Sequence, residues 1–224
     1  MIILAIDTSA NLCAASVHAD HELGRCVRDL GKGHAEHLMA VVDEALAAAG
    51  KTYADLCRLA VSVGPGSFTG IRVGVSAARG LALALKIPAI GITTLEALAF
   101  QARQTNAGRN VMAALDGGRG EIHAALYGPD GEEIATPAAI DLARACEVAT
   151  RANAVLVGTA ADAIHAAAGA SLEIAGRQVT ADIAAYAVLG SGKPYNGARP
   201  APLYLRSADA KVNAGFAVAR KAAP

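Results

Sequence analysis

The chain has 224 residues, 54% of them apolar but only 4% aromatic and none tryptophan. One large domain or two small ones would therefore have a core of Ala, Val, Leu and Ile, which suits parallel strands covered by helices. Lys plus Arg balance Asp plus Glu at 20 each, so bulk charge gives no footprint for nucleic acid.

The first thirty residues read as an antiparallel meander, with strands at Ile2–Ile6, Leu12–Val17 and Leu23–Asp29. From His34 to Ala49 the period becomes helical, with Leu38, Val42, Ala45 and Ala49 on one face and Gly50 as the stop. The segment LAVSVGPGSFTGIRVGVSAARGLALALKIPAIGI, residues 59–92, is one βαβ unit: a strand to Val63, a glycine loop, a helix to Leu85 and a strand at Ala89–Ile92. Ser67 or Thr69 can cap this helix, and Pro88 blocks its extension. Gly66, Gly70, Gly74 and Ala78 recur every four residues, leaving one face almost bare. Each helical glycine costs about 1 kcal/mol relative to alanine, so another backbone should lie very close along that face.

A helix from Thr94 to Gln104, capped near Thr94, closes the order βββαβαβα. The polar 105–110 stretch is the expected boundary between a first lobe, 1–106, and a second, 107–206. The second half partly repeats the first, with strands at Val111–Leu115, Glu121–Tyr127, Ile134–Ala138 and Val155–Gly158. Its helices are expected at 141–150 behind an Asp141 cap, at a segment ending near Ala168, and at an amphipathic stretch from Thr180 to Leu189. Residues 207–224 hold few large apolar groups and read as a disordered tail.

Cys13, Cys26, Cys57 and Cys146 form no CxxC pair, as expected of free thiols in a reducing compartment. The start MIILAIDTSA reaches Asp7 too early for a signal peptide, and even the glycine helix carries Arg72 and Arg79. A cytoplasmic protein with no membrane span is the expectation.

AIDTSANLCAASV, GHAEHLMAVVDEAL, VSVGPGSFTGIRVGVSAARGLALAL, IPAIGITTLEALA and a late PLYLR resemble the TsaB (YeaZ) family of the bacterial tRNA threonylcarbamoyladenosine machinery. The resemblance is dense over residues 1–105, thins in the second half and returns at Pro202–Arg206. It implies an α/β fold of two actin-like (ribonuclease H-like) lobes, each a mixed sheet flanked by helices, the second reduced. It also implies a non-catalytic subunit that pairs with the catalytic TsaD and the ATPase TsaE, or with a second copy when alone. tRNA would be met through the complex, and ATP or ADP and metal would be held by the partner subunits rather than tightly by this chain.

Actin-fold kinases hold phosphate on a D-x-G hairpin; here Asp7-Thr8-Ser9 has serine in the glycine position, while Asp116-Gly117-Gly118 keeps the glycines. Asp7, Asp116, Gly117 and Gly118 are thus candidates for a residual phosphate site, but with one half broken a tight turn opening a hairpin is the preferred reading, and a nucleotide-binding kinase or ATPase is the alternative function. Gly64-Pro65-Gly66-Ser67-Phe68-Thr69 fails both the Walker and dinucleotide patterns at the residue that carries the chemistry. His34 and His37 stand three apart, not in the zincin spacing, so no metal site is expected and a metal-dependent peptidase is a weak second alternative. No nucleophile elbow or Cys–His neighbour is present in the sequence, and no catalytic residue is assigned. What remains is an interface of two helices, expected to use His34, Leu38, Val42, Ala45, Gly66, Gly70, Val73, Gly74, Ala77 and Ala78. Arg72, Arg79 and Lys86, seven apart, read as a solvated edge, with an acidic partner or a tRNA phosphate as the alternative.

Overall fold

A computed structural model describes residues 1–205. Arg206 of the PLYLR segment and the expected tail at 207–224 lie outside the described residues.

The first half runs β1 (Ile3–Asp7), β2 (Leu12–His18), β3 (Glu22–Asp29), α1 (His34–Ala48), β4 (Arg58–Ser62), α2 (Phe68–Leu85), β5 (Ala89–Ile92) and α3 (Thr94–Arg103). The second runs β6 (Val111–Gly118), β7 (Glu121–Tyr127), β8 (Glu133–Ile140), α4 (Leu142–Arg151), β9 (Val155–Val157), α5 (Ala161–Ala167), β10 (Ile174–Gly176) and α6 (Ile183–Gly192). The two sheets have orders β3-β2-β1-β4-β5 and β8-β7-β6-β9-β10, so the second repeats the first strand for strand. In each, the first strand pairs antiparallel with the second and parallel with the fourth. The second half is reduced in element length, not number: β9 and β10 have three residues each, and α5 has 7 against the 18 of α2.

Alternation along β1 shows how the sequence builds the layers. Leu4 and Ile6 face an outer core with Leu38, Val42 and Ala45 of α1 and Ile71, Val75 and Ala78 of α2. Ile3 and Ala5 face a central core that also holds Leu95 and Leu98 of α3, Val111 and Ala113 of β6 and Tyr186 of α6. Met112 and Ala114 of β6 turn the other way, to a third core with Ala145 and Ala149 of α4 and Ile164 of α5. The layers are α1/α2, first sheet, α3/α6, second sheet and α4/α5. Within the middle layer each half lends a helix to the other: α3 packs on β6 and β7, and α6 on β1 and β4.

Two sequence expectations are corrected here. The cap of α3 is Thr93, whose side chain accepts from the Glu96 N–H at 3.0 Å; Thr94 is already helical and fully buried. α6 is not amphipathic from Thr180; it starts behind Asp182 and buries Ile183, Ala185, Tyr186, Ala187 and Gly190, as a helix held between two sheets must.

Both ends of α6 are tied to the first half. At its N-terminus, Arg25 of β3 bonds Glu22 and the capping Asp182. At its C-terminus, Arg58 Nη1 donates to the carbonyls of Gly190, Ser191 and Lys193 at 2.9, 3.3 and 2.7 Å. These are carbonyls with no partner inside the helix, at the negative end of its dipole. Replacing Arg58 with Ala should therefore cost about 2 kcal/mol, the scale of a hydrogen-bonded charge. Urea unfolding measures it, and a loss below about 0.5 kcal/mol, typical of a surface site, would refute the capping role.

Candidate functional site

The glycine loop and α2 sit directly after the β1–β2 turn. Ser67 caps α2 by accepting from Gly70 N at 3.2 Å, while its own N–H donates to Ser9 O at 2.7 Å. Thr8 Oγ1 donates to Gly70 O at 2.7 Å. A methyl group at Gly66 would overlap the Ser9 carbonyl, one at Gly70 the Thr8 carbonyl, and one at Gly74 would lie 2.5 Å from Thr8 Oγ1. Another backbone does run along the bare face, and it is the chain's own Thr8–Ser9 turn.

That placement corrects most of the expected interface. Gly70 and Gly74 are buried beneath the Thr8–Ser9 turn, Gly66 is exposed but has its Cβ direction filled by the Ser9 carbonyl, and Ala78 is fully buried in the outer core. Val42 and Ala45 point into the same core, under α1. His34 is buried, with Nε2 donating to Leu12 O at 3.2 Å, and so anchors the start of α1 rather than facing outward. The apolar seam of α1 is what a helix needs to cover its own sheet.

Val73 and Ala77 remain half-buried on the outer side, with Leu38 at the floor between the helices. They line a groove of about 470 Å³ between α1 and α2, together with Met39, Phe68 and Arg72. Met39 is 43% exposed and Phe68 56%, a cost in apolar surface that the fold itself does not require. At one end the 200–205 segment crosses the glycine loop: Leu203 N donates to Val63 O at 2.8 Å, and Tyr204 lies 5.7 Å from the Phe68 ring centre. Arg72 is exposed, but its side chain is held rather than free. Its guanidinium sits 3.6 Å over the Phe68 ring, and its Nε donates to the Tyr204 hydroxyl at 2.9 Å. Sequence reading passed over Met39, Phe68 and Tyr204, although an exposed Phe at the first position of a capped helix was a signal on offer.

The two phosphate-hairpin candidates adopt the same Asx turn. Ser9 N donates to Asp7 Oδ1 at 2.9 Å, and Gly118 N to Asp116 Oδ1 at 2.8 Å. Their surroundings differ. Asp7 is buried, and its second oxygen accepts from the Thr180 hydroxyl at 2.7 Å. Thr180 Oγ1 is in turn 2.7 Å from the Tyr186 hydroxyl. Burial pushes the Tyr186 phenol up, with the Asp7 charge adding to it, so the phenol stays protonated and donates to Thr180. The chain Tyr186→Thr180→Asp7←Ser9 spends both carboxylate oxygens on the fold. Asp116 is exposed, and its N–H donates to Thr159 Oγ1 at 2.9 Å. Gly117 lies against His123: a methyl group there would come within 2.8 Å of Nε2. Asp7 and Asp116 share no hydrogen-bond partner among the described residues.

His34 points inward and His37 is exposed, and among the described residues no three His, Cys, Asp or Glu side chains gather as metal ligands. Among the described residues, α2 alone is long and apolar enough to cross a membrane by length and composition, yet Gly70, Ile71, Gly74, Val75 and Ala78 are buried against its own lobe.

Two repeated mixed sheets enclosing a shared helical layer are the architecture of an actin-like protein. A sequence-family model described as "TsaD: tRNA N6-adenosine threonylcarbamoyltransferase" matches residues 17–193, and the chain belongs to that family. It is 36% identical over 130 residues to the "tRNA threonylcarbamoyladenosine biosynthesis protein TsaB" of Escherichia coli (strain K12), an alignment covering 58% of this chain and 56% of that protein. The protein of the same name from Bacillus subtilis (strain 168) is 35% identical over 128 residues, covering 57% and 55%. The chain thus spans a little over half the length of the curated relatives it matches. The solved structure titled "YeaZ from Pseudomonas aeruginosa" superposes with a TM-score of 0.73 at 23% identity, over 91% of this chain and 99% of that one. The TsaB (YeaZ) resemblance and the two-lobed actin-like fold expected from the sequence are both upheld.

Proposed function

We propose that this chain is a non-catalytic subunit of a tRNA threonylcarbamoyladenosine synthase, pairing through the outer faces of α1 and α2 with a TsaD-type catalytic subunit. The observation that carries the reading is the α1/α2 groove, where exposed Met39 and Phe68 stand beside half-buried Val73 and Ala77 and keep apolar surface open to solvent. The internal use of both Asp7 oxygens supports a role other than phosphate chemistry, which the kinase or ATPase alternative would need at that position. The names of the relatives supply the pathway. On this reading the protein works in the cytoplasm, a TsaE-type ATPase joins the assembly, nucleotide and metal sit on the partner subunits, and tRNA is met through the complex. In the absence of its partner the same groove serves a second copy of this chain.

Light scattering on the chain mixed with the TsaD-type protein of its organism tests this. The native pair is expected to form a one-to-one complex. Phe68→Glu and Ala77→Glu are each expected to weaken it at least about thirtyfold, the ~2 kcal/mol scale of an interface hot spot. Leu142→Glu, on the distant α4, should leave it unchanged. A native pair that never associates, or groove variants that bind as the native does, would refute the assignment.

A further inference from the structure

A second cavity lies at the far end of α2 from Phe68, bounded by the last turns of that helix, the start of β5 and the 195–200 segment. Its volume is about 530 Å³, and Arg79, Lys86 and Arg199 line it together with Tyr195 and Leu83. No Asp or Glu is among its lining residues. A smaller adjoining cavity of about 260 Å³ shares Tyr195, Arg199 and Pro200, so the two make one continuous groove.

Charge pairing elsewhere makes this concentration informative. Arg25, Arg28, Arg109, Arg144, Arg151, Arg177 and Lys193 all meet carboxylates, Arg58 meets carbonyls, and Arg72 meets two rings. Among the described residues Arg79, Lys86 and Arg199 meet no carboxylate, as Lys32, Lys51 and Arg103 also do not, but these three alone open on one shared space. In a chain of zero formal net charge, this is a local excess rather than a bulk property. A cation at a helix C-terminus is favourable by itself, and Lys86 is the C-cap of α2. Dipole neutralisation does not account for Arg199, which comes from a separate segment. Tyr195 is 48% exposed and lines both cavities, presenting a flat ring beside the cations.

Unpaired cations along a groove with an exposed aromatic ring are the combination that tracks a single-stranded nucleic-acid backbone: the charges take phosphates, and the ring takes a base face. We propose that this groove binds the phosphodiester backbone of a single-stranded RNA segment, with Arg79, Lys86 and Arg199 on phosphates and Tyr195 stacked on a base. The inference goes beyond the partner-binding reading, uses none of its residues, and rests on that reading only for which RNA the cell presents.

The test is fluorescence anisotropy of a labelled oligouridylate on the full chain alone, so failure of the α1/α2 pairing does not affect it. Three phosphate contacts predict a log–log salt slope of about −2, or a roughly twentyfold loss between about 50 and 200 mM salt. The triple variant Arg79→Gln/Lys86→Gln/Arg199→Gln is expected to bind at least about tenfold more weakly at the lower salt and to lose most of that slope. Tyr195→Ala should weaken binding with the slope kept, while Lys32→Gln, at an exposed lysine elsewhere, should change nothing. Circular dichroism on each variant confirms that the fold is retained, and Arg199→Glu, outside every helix and strand, serves if the triple variant unfolds. A native chain without salt-dependent binding, or charge variants that bind as the native does, overturns the proposal. So does labelled ATP binding as tightly as the RNA and lost with the same variants, which would assign the groove to free phosphates.

Discussion

Gly70→Ala and Gly80→Ala, two identical changes in one helix, should shift stability in opposite directions. At Gly80 a methyl group meets nothing within 4 Å, so the substitution removes only the entropic cost of a helical glycine and should stabilise by about 0.5–1 kcal/mol. At Gly70 the new carbon would overlap the Thr8 carbonyl oxygen, a backbone atom fixed between β1 and the turn. Helix α2 must then lift from the turn, which also strains the Thr8–Gly70 and Ser67–Ser9 hydrogen bonds. Overpacking alone costs about 1–3 kcal/mol, and a hydrogen bond lost in a buried setting adds about 1 kcal/mol or more. Gly70→Ala should therefore destabilise by about 3 kcal/mol net of the propensity gain, and Gly70→Leu or Gly74→Leu should prevent folding. Paired urea titrations of the two alanine variants decide it. If Gly70→Ala is neutral, the glycine face is open, and its assignment to the partner surface returns.

The glycine row also marks how far the sequence could be read. Spacing at i and i+4 reports that a backbone approaches closely, and one does; it carries no information about which backbone. The approaching segment is 62 residues earlier in the chain for the Thr8–Gly70 bond, and nothing local to either residue announces it. Elements with strong local signals were legible. Gly50, Pro88 and the Ser67 and Asp141 caps all fall where helices end or begin, and the continuous apolar run of β1 is that of a strand with a core on each face. Weak signals failed for matching reasons. β10 is three residues, Ile174-Ala175-Gly176, too short to show a period, and its omission hid the exact repeat of the first sheet in the second. Adjacent Thr93 and Thr94 offer the same cap chemistry, and only burial of Thr94 decides between them. The outer-face residues Phe68 and Met39 were missed because helical periodicity weights the buried stripe, whereas a partner surface is defined by what that stripe leaves outside.

The second large effect is expected at Asp7, which the fold uses to hold a turn, as its D-x-S context suggested, rather than to hold a phosphate. A phosphate-site aspartate tolerates Asn with little loss of stability, because its oxygens face solvent and ligand. Here Asp7 is 1% exposed, holding the Ser9 N–H and the Thr180 hydroxyl, and through them the turn that α2 rests on and the approach to α6. Asp7→Ala would leave both donors buried without an acceptor, each worth about 1–3 kcal/mol, so a total near 4 kcal/mol is expected. Thr180→Val should cost about 2 kcal/mol by removing one of the partners of a buried carboxylate and the acceptor of the Tyr186 hydroxyl. Because Thr180 and Asp7 are in direct contact, the losses should not add: the double variant should fall short of the sum by about 1–2 kcal/mol. Thr180 lies 173 residues from Asp7, so a measured coupling of that size would mean that the segment leading into α6 is fastened to the turn beneath the partner-facing helix. A shift of the α1/α2 face on binding would then reach the middle layer through a hydrogen-bonded chain rather than through loose packing. Additive losses, or an Asp7→Ala protein as stable as the native one, would remove that link and return Asp7 to the nucleotide-binding alternative.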